Sequence, residues 1–124
     1  AQAGRFLGVT DRLLPNFIHP DRVGDTALVD KVKAMALDVG RDGFVRQQTA
    51  VIGRPDSRRD LADIDCPTLV LVGRQDVLTP LERHVEMQAA IPNSELRVIE
   101  ECGHLSTMER PEAVNQAMRD WLTA

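Results

Sequence analysis

The sequence predicts an α/β fold, and three observations predict it. Thr68-Leu69-Val70-Leu71-Val72-Gly73 is an unbroken apolar run of strand length, the pattern of a strand buried on both faces in a parallel sheet. A helical pattern follows over residues 81–91, and Leu96-Arg97-Val98-Ile99 then makes a second strand. Pro111 next opens a strongly amphipathic stretch. Strand, helix, strand, helix with a right-handed crossover makes the two strands parallel neighbours.

The elements read as follows. Residues 3–14 carry Phe6, Leu7, Leu13 and Leu14 and are expected to form a helix that Pro15 ends. Residues 16–20, Asn-Phe-Ile-His-Pro, read as an apolar loop. Asp25 suits an N-cap. Beyond it Leu28, Val32, Met35, Ala36 and Val39 fall at helical spacing, with Gly40 as the stop. A third helical segment over residues 42–52 sets Phe44, Val45, Gln48 and Ile52 on one side and ends at Gly53. Polar residues 54–60 then make the best boundary in the chain. Two parts result: a helical segment over 1–60 and the strand–helix–strand–helix unit over 61–124. In that unit Leu81, Val85 and Ala89 are expected to face inward. Pro111 sits at N1 of the last helix, where its missing N–H costs nothing. Val114, Ala117, Met118, Trp121 and Leu122 form that helix's buried stripe.

Composition narrows the function. At 124 residues, 43% hydrophobic and 27% charged, the chain is a domain or part of one, with a core built on aliphatic residues because aromatics are 3%. A net charge of -4 argues against binding nucleic acid, which needs a concentrated basic surface. The basic cluster from Arg54 to Arg59 is broken by Pro55 and Asp56 and reads as a solvated loop. No apolar stretch approaches the roughly 20 residues that span a bilayer, and residues 1–5 lack the order of a secretory signal. A cytoplasmic protein with no membrane partner is expected. Cys66 and Cys102 are too few for a disulfide framework and suit a reducing compartment. A metal held by Cys102 and His104 lacks further ligands, so no metal is expected.

Chemistry concentrates at the strand ends. Ligands in open parallel sheets gather at the carboxyl ends of the strands. Asp76 follows the first strand by three residues, and His104 follows the second in Glu100-Glu101-Cys102-Gly103-His104. A lone Asp in a Gly-rich loop is usually a turn residue, and a lone His after Gly is usually structural. An acid and then a histidine after consecutive strands is two-thirds of a nucleophilic triad. Gly73 and Gly103 are expected to let the backbone turn sharply there. The remaining candidates are blander. His84 reads as a packing residue, His19 as a loop histidine, Glu100 and Glu101 as a strand end meeting solvent, and Met108 as a neighbour of the site.

The spacing Gly73-x-x-Asp76-x-x-x-Pro80, then Gly103-His104 and Glu109-x-Pro111, resembles the C-terminal part of the cap-bearing, serine-type α/β-hydrolase superfamily. The resemblance covers residues 63–122 and extends to residues 1–60 only in kind, as the helical cap. It implies the last two parallel strands of that fold with their flanking helices. It also implies Asp76 as triad acid and His104 as general base, in the order nucleophile, acid, histidine. The apolar neighbours Val77, Leu78 and Leu105 would help line a substrate pocket. No cofactor is implied. Substrates of the family include small esters, lactones and carbon–carbon compounds.

The nucleophile elbow G-x-S-x-G of that family does not occur: Ser57, Ser94 and Ser106 all lack glycines at both flanking offsets. Ser106 lies two residues past His104, too local to be a separate nucleophile. The chain, which lacks an initiator Met, therefore reads as the second half of a hydrolase, inactive alone. Its parallel strands need neighbours. A missing N-terminal half or another copy of the chain would supply them, so a homo-oligomer is expected if the chain is stable by itself. A non-catalytic binding or assembly module on a hydrolase scaffold is the competing interpretation.

Overall fold

A computed structural model describes residues 6–124. The chain runs through α1 (Leu14–Phe17), a 3-10 turn (Pro20–Arg22), α2 (Thr26–Ile52), a 3-10 segment (Arg58–Asp63) and β1 (Thr68–Gly73). It continues through α3 (Leu81–Ala90), β2 (Ser94–Ile99), α4 (Ser106–Glu109) and α5 (Pro111–Leu122). β1 and β2 pair in parallel, with Thr68 opposite Ser94 and Gly73 opposite Ile99. This is the α/β arrangement that the strand–helix alternation predicts.

The N-terminal segment departs from expectation. Of the helix expected over 3–14, residues 3–5 lie outside the described residues, and 6–10 are not helical. Pro15 does not end a helix but falls in the first turn of α1, where no intrahelical bond is lost. The stretch expected as a loop over 16–20 is shared between α1 and the 3-10 turn. Ile18, at 1% exposure, anchors it.

α2 starts at the expected cap: Asp25 Oδ1 accepts from the Leu28 N–H at 3.1 Å. Gly40, with φ 67° and ψ 177°, breaks it into two helices that meet at a kink, a conformation that strains any residue with a Cβ. The first half is held by a core of Leu14, Ile18, Leu28, Val29 and Val32, against which Val9, Phe17, Leu105 and Met108 pack. Each fully buried aliphatic side chain of this kind contributes about 1.5–3 kcal/mol. Met35 and Val39, expected on the same stripe, are exposed, as are Phe44, Val45, Val51 and Ile52 beyond the kink.

In the second part, Val70 and Val72 of β1 are buried, and Leu71 packs on a cluster of Ile99, Cys102 and Val114. α5 thus covers the sheet face that carries Leu71 and Ile99. α3 lies on both strands but not by the expected face. Val85 and Ala89 are exposed, whereas Leu81, His84, Met87 and Gln88 are half-buried and Ile91 is buried. Helical spacing supports either face. The stems of His84 and Gln88 pack well enough to decide for the mixed one. His84 Nδ1 also lies 3.2 Å from the Pro80 carbonyl. In α5 Val114 and Ala117 are buried, Trp121 is half-buried, and Met118 and Leu122 are exposed. Two strands present too little surface to cover the whole stripe.

Candidate active site

The pairing of Gly73 with Ile99 ends both strands at one level, so the two following loops leave the sheet side by side. Gln75 ties them: its N–H donates to the Cys102 carbonyl at 2.9 Å, and its Oε1 accepts from the Cys102 N–H at 3.0 Å. Gly73 and Gly103 act by close approach rather than by a sharp turn, because neither has a positive φ. Among the described non-glycine residues the left-handed conformation falls on Glu101, at φ 49°. A Cβ on Gly73 would collide with the Cys102 and Gly103 backbone, and one on Gly103 would lie 2.7 Å from the Ile18 carbonyl carbon.

The structure brings Asp76 and His104 together. His104 Nδ1 donates to Asp76 Oδ2 across 2.8 Å. Asp76 Oδ1 accepts from the N–H groups of Leu78 and Thr79, each at 2.9 Å, and the Thr79 hydroxyl donates to Oδ2 at 2.8 Å. The carboxylate's acceptor sites are thus fully used. Its side chain is 4% exposed, against 34% for His104. Burial opposes ionisation of Asp76. The Thr79 amide, the His104 imidazole and the Thr79 hydroxyl together outweigh it and hold the carboxyl below the usual Asp range. An ionised Asp76 fixes the proton of the neutral imidazole on Nδ1 and leaves Nε2 free to accept one.

Other candidates sit elsewhere. Val77 and Leu78 are exposed on the Asp76 loop, whereas Leu105 packs into the core under α2, its N–H donating to the Phe17 carbonyl at 3.0 Å. Met108 joins the same core and lines an open cavity of about 420 Å³ between the start of α2 and Thr107. Asp76 and His104 do not line that cavity. Ser94 Oγ donates to the Gln88 and Ile91 carbonyls, a structural role. His19 Nδ1 accepts from the Asp21 N–H at 3.1 Å, capping the 3-10 turn. Among the described residues no group of three or more His, Cys, Asp or Glu converges as metal ligands. Burial and the Glu109 carboxylate push the Cys102 thiol up to about 11.

Sequence reasoning missed Thr79, Gln75 and Glu109. The Asp76-x-x-Thr79 spacing in a turn was a usable signal, since Asp and Thr commonly bond nearby backbone there. Glu109 was noted only within the Glu109-x-Pro111 spacing, with no role attached to it. It is buried, and its two partners are backbone amides.

An acid–histidine pair at the carboxyl ends of neighbouring parallel strands, with helices against the sheet, defines an α/β protein of the hydrolase kind. Residues 2–117 match the alpha/beta hydrolase family, and the chain belongs to it. A 2-hydroxy-6-oxononadienedioate/2-hydroxy-6-oxononatrienedioate hydrolase of Pseudomonas putida is 40% identical over 68 residues, 55% of this chain and 24% of that protein. A putative carbamate hydrolase of Serratia proteamaculans is 35% identical over 83 residues, 67% of this chain and 31% of that protein. A thermophilic esterase from Thermogutta terrifontis superposes with a TM-score of 0.85 at 35% identity, over 91% of this chain and 42% of that one. The chain therefore spans about a quarter to a third of these curated relatives, and about two-fifths of the solved esterase.

Proposed function

We propose that this chain carries the acid–base half of a cofactor-independent hydrolase acting on a small ester, lactone or carbon–carbon substrate. The observation that carries this is the 2.8 Å bond between His104 Nδ1 and a buried, fully bonded Asp76. His104 Nε2 takes the proton of a nucleophile and returns it to the leaving group. Asp76 holds the ring and stabilises the imidazolium. The nucleophile and the oxyanion donors come from chain outside these 124 residues, and without them the pair does not turn over. Val77 and Leu78, exposed on the Asp76 loop, contribute apolar surface to the substrate site, whereas Leu105 is taken up by the core under α2; the N-terminal helical segment serves as the cap and residues 61–124 as the core. The names of the relatives, an oxononadienedioate hydrolase, a putative carbamate hydrolase and an esterase, support a small-molecule substrate; the ester, lactone or carbon–carbon range follows from the family resemblance.

The missing half of the fold, or a second copy, covers the free edge of β1 and the exposed apolar residues of α5. A cytoplasmic setting suits the unpaired Cys66 and Cys102, and no described helix is long and apolar enough to cross a membrane.

In the intact protein His104→Ala is expected to abolish turnover of a p-nitrophenyl ester, a loss on the order of 10⁶-fold in kcat, and to abolish labelling by a fluorophosphonate. Wild-type turnover in that variant would sink the assignment. Intact wild-type protein that neither turns over esters nor labels would favour the binding-module interpretation.

A further inference from the structure

We propose that Glu109 is a positioning residue, whose buried carboxylate sets the His104 loop against the segment leading into α2 and so fixes where the imidazole reaches. The proposal rests on the role given to His104 above. Glu109 is 4% exposed and, with Asp76, makes up the buried charged side chains among the described residues. Its Oε2 accepts from the Gly103 N–H at 2.9 Å, and its Oε1 accepts from the His19 N–H at 2.7 Å. The Arg22 guanidinium donates to the Glu109 backbone carbonyl, binding the same two segments a second time. Cys102 Sγ lies 3.9 Å from Oε2.

The geometry leaves few other ways to hold this junction. Gly103 and the Ile18–His19 peptide meet backbone to backbone. A Cβ on Gly103 would stand 2.7 Å from the Ile18 carbonyl carbon and 2.8 Å from the His19 nitrogen. Side chains therefore cannot enter between the segments, and their amides need an acceptor beside the contact. Burying an ionised carboxylate is unfavourable unless it is fully hydrogen-bonded. An apolar residue would leave both N–H groups buried and unpaired, which is worse than either alone. Glutamine has one oxygen and one NH₂, so one end would set a donor against a donor. Only a carboxylate serves both amides. The Gly103 N–H belongs to the Cys102–Gly103 peptide, so the Glu109 bond fixes the backbone one peptide before the one that leads into His104.

A merely stabilising Glu109 would lower melting temperature without touching the Asp76–His104 bond. The test compares wild type, Glu109→Gln and His104→Ala in the intact protein. It reads kcat and KM on p-nitrophenyl acetate and the downfield proton resonance of His104 Nδ1–H. For Glu109→Gln we expect kcat to fall about a hundredfold, as for a catalytic group displaced by roughly 1 Å, with KM little changed and the resonance shifted or broadened. A kcat within about twofold of wild type (a difference near 0.4 kcal/mol), or a lowered kcat beside an unchanged resonance, overturns the proposal while His104→Ala stays inactive. Activity in His104→Ala would instead remove the reading on which it rests. If Glu109→Gln does not fold, amide exchange in the wild type decides. The His19 and Gly103 amides, both outside strands and α-helices, must exchange as slowly as core β1 amides, and fast exchange at either refutes the clamp.

Discussion

Asp76→Asn in the intact protein tests the acid–base reading most directly, because the site dictates how the new amide must sit. Oδ1 accepts from two backbone N–H groups, so the asparagine oxygen has to occupy that position and its NH₂ the place of Oδ2. That NH₂ then faces His104 Nδ1, which in the wild type donates across 2.8 Å. Two donors cannot share the contact, and the imidazole moves its proton to Nε2, the nitrogen that must act as base. The expected loss is about 10⁴-fold in kcat, the size seen when a triad histidine is left in the wrong tautomer, or roughly 5.5 kcal/mol. KM should change far less. A p-nitrophenyl ester assay across pH reads this directly, and a loss of less than about tenfold (1.4 kcal/mol) would refute the tautomer argument. Stability gives an independent check. Asp76 titrates below its ordinary value in the folded state, so its contribution is present above an unfolded pKa of about 3.9 and is lost as pH falls through the folded value. The stability gap between wild type and Asp76→Asn should therefore narrow in acid.

Three further predictions concern Gly103 and the two cysteines. Gly103→Ala forces its Cβ onto the Ile18–His19 backbone and should destabilise the intact protein by about 1–3 kcal/mol, seen as a lower Tm with reduced kcat; unchanged melting would show that the close approach relaxes freely. The cysteines should separate cleanly, with a thiol-exchange reagent titrating exposed Cys66 at once and fully buried Cys102 only on unfolding. Because the Cys102 thiol is pushed up to about 11, its contribution to stability is full below an unfolded pKa of about 8.5 and declines as pH rises through the folded value. Cys102→Ala should flatten that alkaline decline, and an equally steep fall in the variant would assign it elsewhere.

Local signals were legible in the sequence, and signals shared between distant segments were not. The Leu69–Val72 run, the Asp25 cap, the breaks at Gly40 and Gly53 and Pro111 at the start of α5 each act within a few residues, and each falls where the pattern places it. Pro15 misled because proline both follows helices and opens them, and only the core under Ile18 decides which. The inward face of α3 misled because an aliphatic face and a mixed face were both available, and packing chose the one carrying His84 and Gln88. Order and spacing along the chain were enough to pick Asp76 and His104 as a pair, and the fold brings the two side chains into hydrogen-bond contact. Glu109 was legible as part of the Glu109-x-Pro111 spacing but not in its role, since a carboxylate that bonds backbone amides, one of them 90 residues away, has no partner residue type to look for.

The parallel register has a consequence for how such a protein can vary. Gly73 lies opposite Ile99, so the gap between acid and histidine is measured out by one interstrand spacing of about 4.8 Å plus two short loops. The ruler is the backbone pairing of the two strands. A slip of one residue would displace one loop by about 3.3 Å and turn its strand over, an all-or-none error rather than a gradual drift.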